Sequence, residues 1–283
     1  MDVVCALDIG GSNLRICILQ ASTGRELSRR TIPSRGDDYD SSLNETEIVA
    51  RQLTQGHTLV SVGAGVAGAV TNGVITGSGN LPDWILHNYQ ADLEEKFGVS
   101  VTVLNDCAAA ALGEYVVFQR PLIYVIWGTG VGVSVVSIVD GHMTVRATEL
   151  GHMVIHRSSR LQCGWGGRGH LEALVSGNNI PRRFRRLWIF KGRKAEELSD
   201  RQWTRVLRDM AVGLRNLSAG DMGLPIVLGG GILIKQSHRL PQLQEMVGNL
   251  PSTCPVPELL IAEGGEDSGL LGAAYAARQL IAA

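Results

Sequence analysis

Residues 101–114, VTVLNDCAAAALGE, predict the position of a candidate catalytic carboxylate in the fold. Val101 to Leu104 is apolar or β-branched, which is typical of a buried strand, and the helix-favouring residues Ala, Leu and Glu follow. Such a strand would deliver Asn105 and Asp106 to one edge of a sheet, at the point where a helix begins. A carboxylate there is well placed to accept a proton from a bound hydroxyl; the alternative is that either side chain only caps the helix.

The composition is that of an ordinary globular chain. It has 283 residues, a hydrophobic content of 45% and a net charge of −1 from 26 basic and 27 acidic residues. The length suggests two domains, and the balanced charge gives no sign of a nucleic-acid or membrane partner. Five scattered cysteines indicate a reduced, cytoplasmic protein rather than a disulfide framework, and no signal peptide is recognisable.

The order of elements in the first part of the chain repeats in the second. Three strands separated by turns open the chain, and the pattern to residue 110 is β-β-β-α-β-α-β. The same order restarts at Pro121, where the uncharged stretch to Val139 suits two strands and a glycine hairpin better than a membrane span. Two such halves predict an internal duplication. Further helices are predicted at Pro181–Phe190, Ser199–Ser218 and Ser268–Ile281.

A glycine-rich turn follows the first strand of each half. These turns are DIGGSN at residues 8–13 and GTGVG at residues 128–132. Their backbone can approach a ligand closely and suits phosphate oxygens, with an ordinary hairpin as the alternative. The stretch GAGVAG at 63–68 matches the dinucleotide pattern GxGxxG, but the residues after it are not helical in character. We therefore predict a loop and a β-hairpin that line a pocket there.

Five motifs together resemble the ROK family of sugar kinases and repressors, within the actin-like ATPase superfamily. In chain order they are DIGGSN at 8–13, ND at 105–106 running into AAALGE at 109–114, GTGVG at 128–132, ELGH at 149–152 and LGGG at 228–231. The resemblance covers nearly the whole chain. It implies an α/β fold of two RNase H-like domains flanking a cleft. Residues 1–110 plus 268–283 would form the smaller N-terminal domain, and residues 111–267 the larger one.

The resemblance also implies a role for each motif. Asp106 would be the general base for a sugar hydroxyl, and Asp8 would help to hold Mg²⁺. ATP would be bound by Asp8, Gly10, Gly11, Ser12, Asn13, Gly128, Thr129, Gly130, Gly229, Gly230 and Gly231. The other sugar hydroxyls would be held by Gly68, Asn105, Glu149, His152 and Glu172. Phosphoryl transfer needs such positioning groups more than it needs covalent help from the protein.

One loop departs from the family pattern. Many members bind a structural zinc through the His of E-x-G-H and three cysteines in C-x-C-G-x-x-G-C. Here these positions hold His152, Cys163, Trp165 and His170, and Trp165 cannot ligate a metal. The remaining set is one ligand short of the tetrahedral four, so zinc would need His156 or a water as well. Without zinc, Trp165 would pack in the place of the metal.

The function that the resemblance implies is an ATP-dependent phosphotransferase of the hexokinase or glucokinase type. Glucose is the expected substrate, and a homodimer or homotetramer is the expected assembly. A kinase for N-acetylmannosamine or N-acetylglucosamine and a catalytically silent sugar-binding protein are the alternatives. A DNA-binding repressor is disfavoured because the first strand starts at Val3, without a preceding helix-turn-helix. Polyphosphate as the phosphate donor is disfavoured, because the sequence shows no clear basic channel that would bind it.

Overall fold

The computed structural model describes residues 1–184, 195–221 and 223–282, and the chain divides into two compact units. Unit 1 contains Met1–Arg120 and the residues from Gly264 onward, and unit 2 contains Pro121–Glu263. The predicted boundary at residue 110 falls inside a helix that belongs wholly to unit 1, so the observed boundary comes after that helix. Among the described residues, none of the helices combines the length and the hydrophobicity that a membrane span needs.

The described residues form strands and helices that we number in chain order. The strands are β1 (Asp2–Ile9), β2 (Asn13–Gln20), β3 (Glu26–Pro33), β4 (Thr58–Val66), β5 (Ala69–Thr71), β6 (Val74–Gly77), β7 (Ser100–Asn105), β8 (Leu122–Trp127), β9 (Val131–Val139), β10 (His142–Thr148), β11 (Ile226–Gly229) and β12 (Leu259–Ile261). The helices are α1 (Tyr39–Leu53), α2 (Tyr89–Phe97), α3 (Asp106–Phe118), α4 (Leu171–Val175), α5 (Ile180–Arg183), α6 (Asp200–Gly220), α7 (Gly231–Lys235), α8 (Leu240–Gly248) and α9 (Ser268–Ala282).

Unit 1 is built on a mixed five-stranded sheet with the order β3-β2-β1-β4-β7. Side chains alternate across a strand, so Cys5 and Leu7 of β1 join the apolar cluster on the side of α1 and α2. Val4 and Ala6 join a second cluster, with residues of α9. Strands β1, β4 and β7 are parallel, so their carboxyl ends meet at one edge of the sheet.

Helix α9 covers the second face of the unit 1 sheet and packs along α3. Close approach of the two helices requires glycine at position 113, because a Cβ there would overlap the carbonyl oxygen of Ser268. The buried carboxylate of Glu114 fixes the start of α9. It accepts hydrogen bonds from Ser268 Oγ (2.6 Å) and from the N–H of Gly264 (3.1 Å).

Unit 2 repeats the architecture of unit 1, which confirms the predicted restart of the pattern at Pro121. Its sheet has the order β10-β9-β8-β11-β12, with β8, β11 and β12 parallel. The predicted helix at Ser199–Ser218 is α6, whose apolar face enters the core. Of the predicted helix at Pro181–Phe190, the structure describes residues 181–184, the first three of which belong to α5. Residues 185–190 lie outside the described residues.

Candidate active site

Asn105 and Asp106 lie at the junction of β7 and α3, where the sequence predicted them. Asn105 caps the helix, because its Oδ1 accepts hydrogen bonds from the N–H groups of Cys107 (2.9 Å) and Ala108 (3.2 Å). Its Nδ2 donates to the carbonyl oxygen of Gly68 (2.8 Å) and to Asp106 Oδ1 (2.9 Å). Two donors and two acceptor positions are all that a carboxamide offers, so Asn105 is fully used within unit 1.

The carboxylate of Asp106 sits in the first turn of α3. Its Oδ1 accepts hydrogen bonds from the N–H of Cys107 (2.8 Å) and from Asn105. Burial raises the pKa of Asp106 to about 6; the hydrogen bond from Cys107 lowers it, and the nearby charge of Asp8 raises it further. A carboxylate that titrates close to neutral pH can accept a proton from a substrate hydroxyl.

Asp8 lies near the end of β1, paired in register with Gly65 of β4. Its Oδ2 forms an ion pair with Arg15, whose second partner is Asp267 at 3.6 Å. Burial raises the pKa of Asp8, and the charge of Arg15 opposes that rise. The first turn of α9 passes close by, since a Cβ on Gly269 would lie 3.0 Å from Asp8 Oδ1. Asp8 is therefore a carboxylate that is held by an ion pair with Arg15, at the same edge of the sheet as Asp106.

The first glycine hairpin joins β1 to β2, and its turn begins after Ile9. The N–H of Gly10 donates to the carbonyl oxygen of Asn13 (2.9 Å), and Ser34 Oγ donates to the carbonyl oxygen of Gly10 (2.6 Å). Gly11, Ser12 and Asn13 are exposed. The residues that we predicted to bind phosphate thus form a single turn with accessible backbone.

The GxGxxG stretch lies mostly inside β4 and is not followed by a helix, so the rejection of a dinucleotide fingerprint is confirmed. After it, β5 and β6 form the predicted hairpin. Gly68 connects β4 to this hairpin and lies against its far end, since a Cβ on Gly68 would come within 3.0 Å of Ser78 Cβ. Through its bond to Asn105, Gly68 also touches the Asp106 region.

The second glycine hairpin joins β8 to β9 in unit 2, with the N–H of Gly128 donating to the carbonyl oxygen of Gly130 (3.0 Å). The carboxylate of Glu172 supports it. Glu172 Oε2 accepts a hydrogen bond from the N–H of Val131 (3.1 Å), and Oε1 accepts one from the N–H of Gly164 (3.3 Å). Glu172, which we predicted to hold a sugar hydroxyl, thus links the hairpin to the loop that contains Cys163.

A cavity of about 540 Å³ lies at the carboxyl ends of β8 and β11 in unit 2. Its lining residues are Ile126, Gly128, Thr129, Gly177, Asn178, Pro181, Ala195, Glu196, Gly230, Gly231, Ile232, Lys235 and Gln236. The N–H groups of Gly177 and Asn178 donate to the carbonyls of Gly128 (2.9 Å) and Thr129 (3.2 Å). The volume suits a small organic ligand. The sequence motifs identified four of the lining glycines and threonines but not Asn178 or Lys235.

The three candidate zinc ligands that the sequence analysis named meet in unit 2. They are the side chains of His152, Cys163 and His170. One ligand atom from each lies within 4.8 Å of the others, and Nδ1 of His152 is buried without a hydrogen-bond partner. In the described part of the chain no further His, Cys, Asp or Glu joins this cluster, so His156 does not complete it. Two imidazoles and a buried thiol are ligands that zinc prefers, and they leave its fourth position to a small molecule such as water.

Trp165 contacts the face of the His152 ring rather than its nitrogens. The ring centroids are 4.7 Å apart and the planes differ by 26°, while 72% of Trp165 remains exposed. The carboxylate of Glu149 lies 3.8 Å from Nε2 of the same imidazole. His152 thus has Glu149 near its Nε2 atom and Trp165 stacked on its face.

Two sheets of one topology, each with a glycine hairpin after its first strand, define the class of two-domain actin-like kinase folds. The chain belongs to the ROK family, whose profile matches residues 4–280. A glucokinase from Pyrobaculum calidifontis is 34% identical over 208 residues, which are 65% of this chain and 67% of the relative. An N-acetylmannosamine kinase from Vibrio cholerae is 28% identical over 291 residues, covering 95% and 97%. The crystal structure of a ROK hexokinase from Thermus thermophilus has a TM-score of 0.83 and 26% identity, with 99% of both chains covered.

Proposed function

We propose that this ROK family protein is an ATP-dependent sugar kinase that transfers the γ-phosphate to a hexose hydroxyl, with glucose as the first candidate. The observation that carries the proposal is the Asp106 carboxylate, held in the first turn of α3 with a pKa of about 6. Asp8 lies near the end of β1, at the same sheet edge, and the turn of residues 10–13 follows that strand. A base beside a phosphate-binding turn is what phosphoryl transfer to an alcohol requires.

The proposed reaction uses Asp106 as the base. The carboxylate accepts the hydroxyl proton as the sugar oxygen bonds to the γ-phosphorus, and the bond between that phosphorus and the bridging oxygen of ADP breaks. ADP leaves with the electron pair of the broken bond, and Asp106 later returns its proton to solvent. Asp8 would hold Mg²⁺, which neutralises phosphate charge when bound; one carboxylate together with substrate phosphates is the donor set that this ion commonly takes.

Some of the remaining predicted residues would contact ATP or the sugar, and others would hold those residues in position. The unit 2 cavity, whose lining includes Gly128 of the second hairpin and Gly230 and Gly231 of the LGGG motif, would take the adenosine of ATP. Glu149 and His152 would hold sugar hydroxyls, whereas Asn105 and Glu172 would act by fixing Asp106 and the second hairpin. Zinc would be held by His152, Cys163 and His170, and would keep their loop in place.

The choice of sugar is the open part of the proposal. A glucokinase and an N-acetylmannosamine kinase are both among the relatives, so glucose comes first and N-acetylmannosamine second. An ADP-release assay with glucose, mannose, N-acetylmannosamine and N-acetylglucosamine ranks them by kcat/KM. A homodimer or homotetramer is the assembly that we expect.

The decisive comparison is between wild type and Asp106→Asn. We expect kcat to fall by at least about 10²-fold, as for a lost general base, while the sugar still stabilises the protein against heat. Asp140→Asn, an exposed aspartate in the β9–β10 turn, is the matched control and should turn over normally. Stabilisation of the wild type by a sugar without any ADP release would support a silent sugar-binding protein instead and contradict the proposal.

A further inference from the structure

Asn80 stands on a segment whose backbone is fixed on both sides. Before it, Ser78 Oγ donates to the carbonyl oxygen of Ala67 (2.6 Å) and accepts a hydrogen bond from the N–H of Leu81 (3.1 Å). After it, Leu81 is fully buried, and so is Trp84, which belongs to a 3₁₀ turn. Asn80 therefore has an anchored backbone, and its exposed side chain does not contribute to the core.

The side chain of Asn80 lies directly on the first glycine hairpin. A Cβ on Gly11 would lie 2.6 Å from Asn80 Cβ and 2.9 Å from its Cγ, so the approach requires glycine at position 11. Within the described residues the carboxamide of Asn80 forms no hydrogen bond, and the residue is exposed. An amide with free donors, on a backbone that is anchored on both sides, therefore stands beside the turn to which we assign the phosphates.

The same segment reaches the acceptor side of unit 1. Asn105, which holds Asp106, donates to the carbonyl oxygen of Gly68, and Gly68 packs against Ser78. Residues 78–80 thus extend from the neighbourhood of the base to Gly11 of the phosphate turn. The two asparagines differ in one respect that matters: the amide of Asn105 is saturated by the protein, and the amide of Asn80 is not.

We propose that Asn80 is a further catalytic residue, whose side-chain N–H donates to a non-bridging oxygen of the phosphoryl group during its transfer. This inference rests on the proposed kinase function. The transferred group spreads negative charge over its equatorial oxygens, and a preorganised neutral donor stabilises that charge. Such a donor changes kcat more than it changes sugar binding, which distinguishes it from a sugar ligand.

The test compares Asn80→Ala and Asn80→Asp with the wild type, using the best sugar from the panel. Loss of one preorganised donor should lower kcat by about 10²-fold in Asn80→Ala. Asn80→Asp, which is nearly isosteric, should lose more because it brings a carboxylate against the phosphate. The KM for the sugar and the unfolding temperature should stay close to the wild-type values. Asn249→Ala, at an exposed C-cap in unit 2, is the control.

Each other outcome overturns the inference in a recognisable way. Unchanged kcat in Asn80→Ala beside an active wild type removes the inference and leaves the kinase function intact. A raised sugar KM with normal kcat makes Asn80 a sugar ligand instead. A fall in unfolding temperature that parallels the loss of activity, with Asn80→Asp no worse than Asn80→Ala, makes its role structural. A wild type without turnover on any sugar removes the proposed function and the inference together.

Discussion

The two glycine hairpins have similar sequences but are supported in different ways. In unit 1 the turn at residues 10–13 is held by a neutral hydrogen bond from Ser34 Oγ to the Gly10 carbonyl and by packing against Asn80. In unit 2 the turn at residues 128–130 is supported by the carboxylate of Glu172, which accepts hydrogen bonds from two backbone N–H groups. The same motif can therefore be built with a neutral or with a charged support.

This difference separates Asp106 and Glu172, two carboxylates that the sequence analysis assigned to the sugar site in different roles. Glu172 has its charge balanced by backbone donors, so it should stabilise the fold. Asp106 is partly buried and desolvation raises its pKa, so its ionised form should weaken the fold while it serves as a base. One carboxylate contributes to structure and the other to chemistry, and stability measurements can tell them apart.

The largest effect is expected for Glu172→Ala. Removing the carboxylate leaves the N–H groups of Val131 and Gly164 without their acceptor, which should lower the free energy of unfolding by about 3 kcal/mol. Glu172→Gln should lose less, because one acceptor oxygen remains. Urea denaturation followed by circular dichroism measures both. Glu149→Ala, at a side chain that is 61% exposed, is the control, and equal losses at the two positions would contradict the comparison.

A smaller effect of opposite sign is expected for Asp106→Asn. The folded pKa of about 6 lies above the ordinary value of 3.8, so the folded state binds this proton more tightly than the unfolded state. The contribution of Asp106 to stability is complete below pH 3.8 and is lost as the pH rises through about 6. Asp106→Asn should therefore be more stable than wild type by about 1–2 kcal/mol at pH 8 and not at pH 3.5.

Thermal melts across this pH range measure the difference, with Asp140→Asn as the control that should show no such trend. A stability gain that is independent of pH would contradict the titration of Asp106. In the same range kcat/KM of the wild type should rise with pH and level off above about 6, because only the ionised carboxylate accepts a proton.

The smallest effect is expected at the neutral support, Ser34. Loss of its hydrogen bond to the Gly10 carbonyl in Ser34→Ala should lower the free energy of unfolding by about 1 kcal/mol. Urea denaturation checks this against Ser158→Ala, an exposed serine that should change little. If Ser34→Ala proved as damaging as Glu172→Ala, the two hairpins would not differ in their supports as the contacts indicate.

The sequence predicted the parts of the fold that depend on patterns of residues over short stretches of chain. Both hairpins, the strand before Asn105 and the apolar face of α6 follow from side-chain periodicity and turn residues over short stretches. The repeat of the strand order after Pro121 followed from comparing two such patterns, and it matches the two sheets. Rejection of the GxGxxG match was correct for the same local reason.

The contacts that the sequence did not predict join distant residues. Glu172 and Val131 are 41 positions apart, and no periodicity relates them. The packing of Asn80 on Gly11 and the place of Asn178 in the cavity likewise depend on how the loops fold back on the sheets. The motif predicted a role for Asn105 in the site, and only the hydrogen bonds show that it caps α3 and leaves no free donor.

The chain passes from unit 1 into unit 2 and then returns to unit 1. The two parts of unit 1 are therefore synthesised at different times. A ribosome must complete all of Pro121–Glu263 before it makes α9, which covers Val4 and Ala6 on the sheet of unit 1. Unit 2 is continuous in sequence, so it can bury its own core while the earlier unit still waits for its last helix. The nascent N-terminal sheet therefore keeps one apolar face open for the whole of that interval, and the later half of the gene product can mature first.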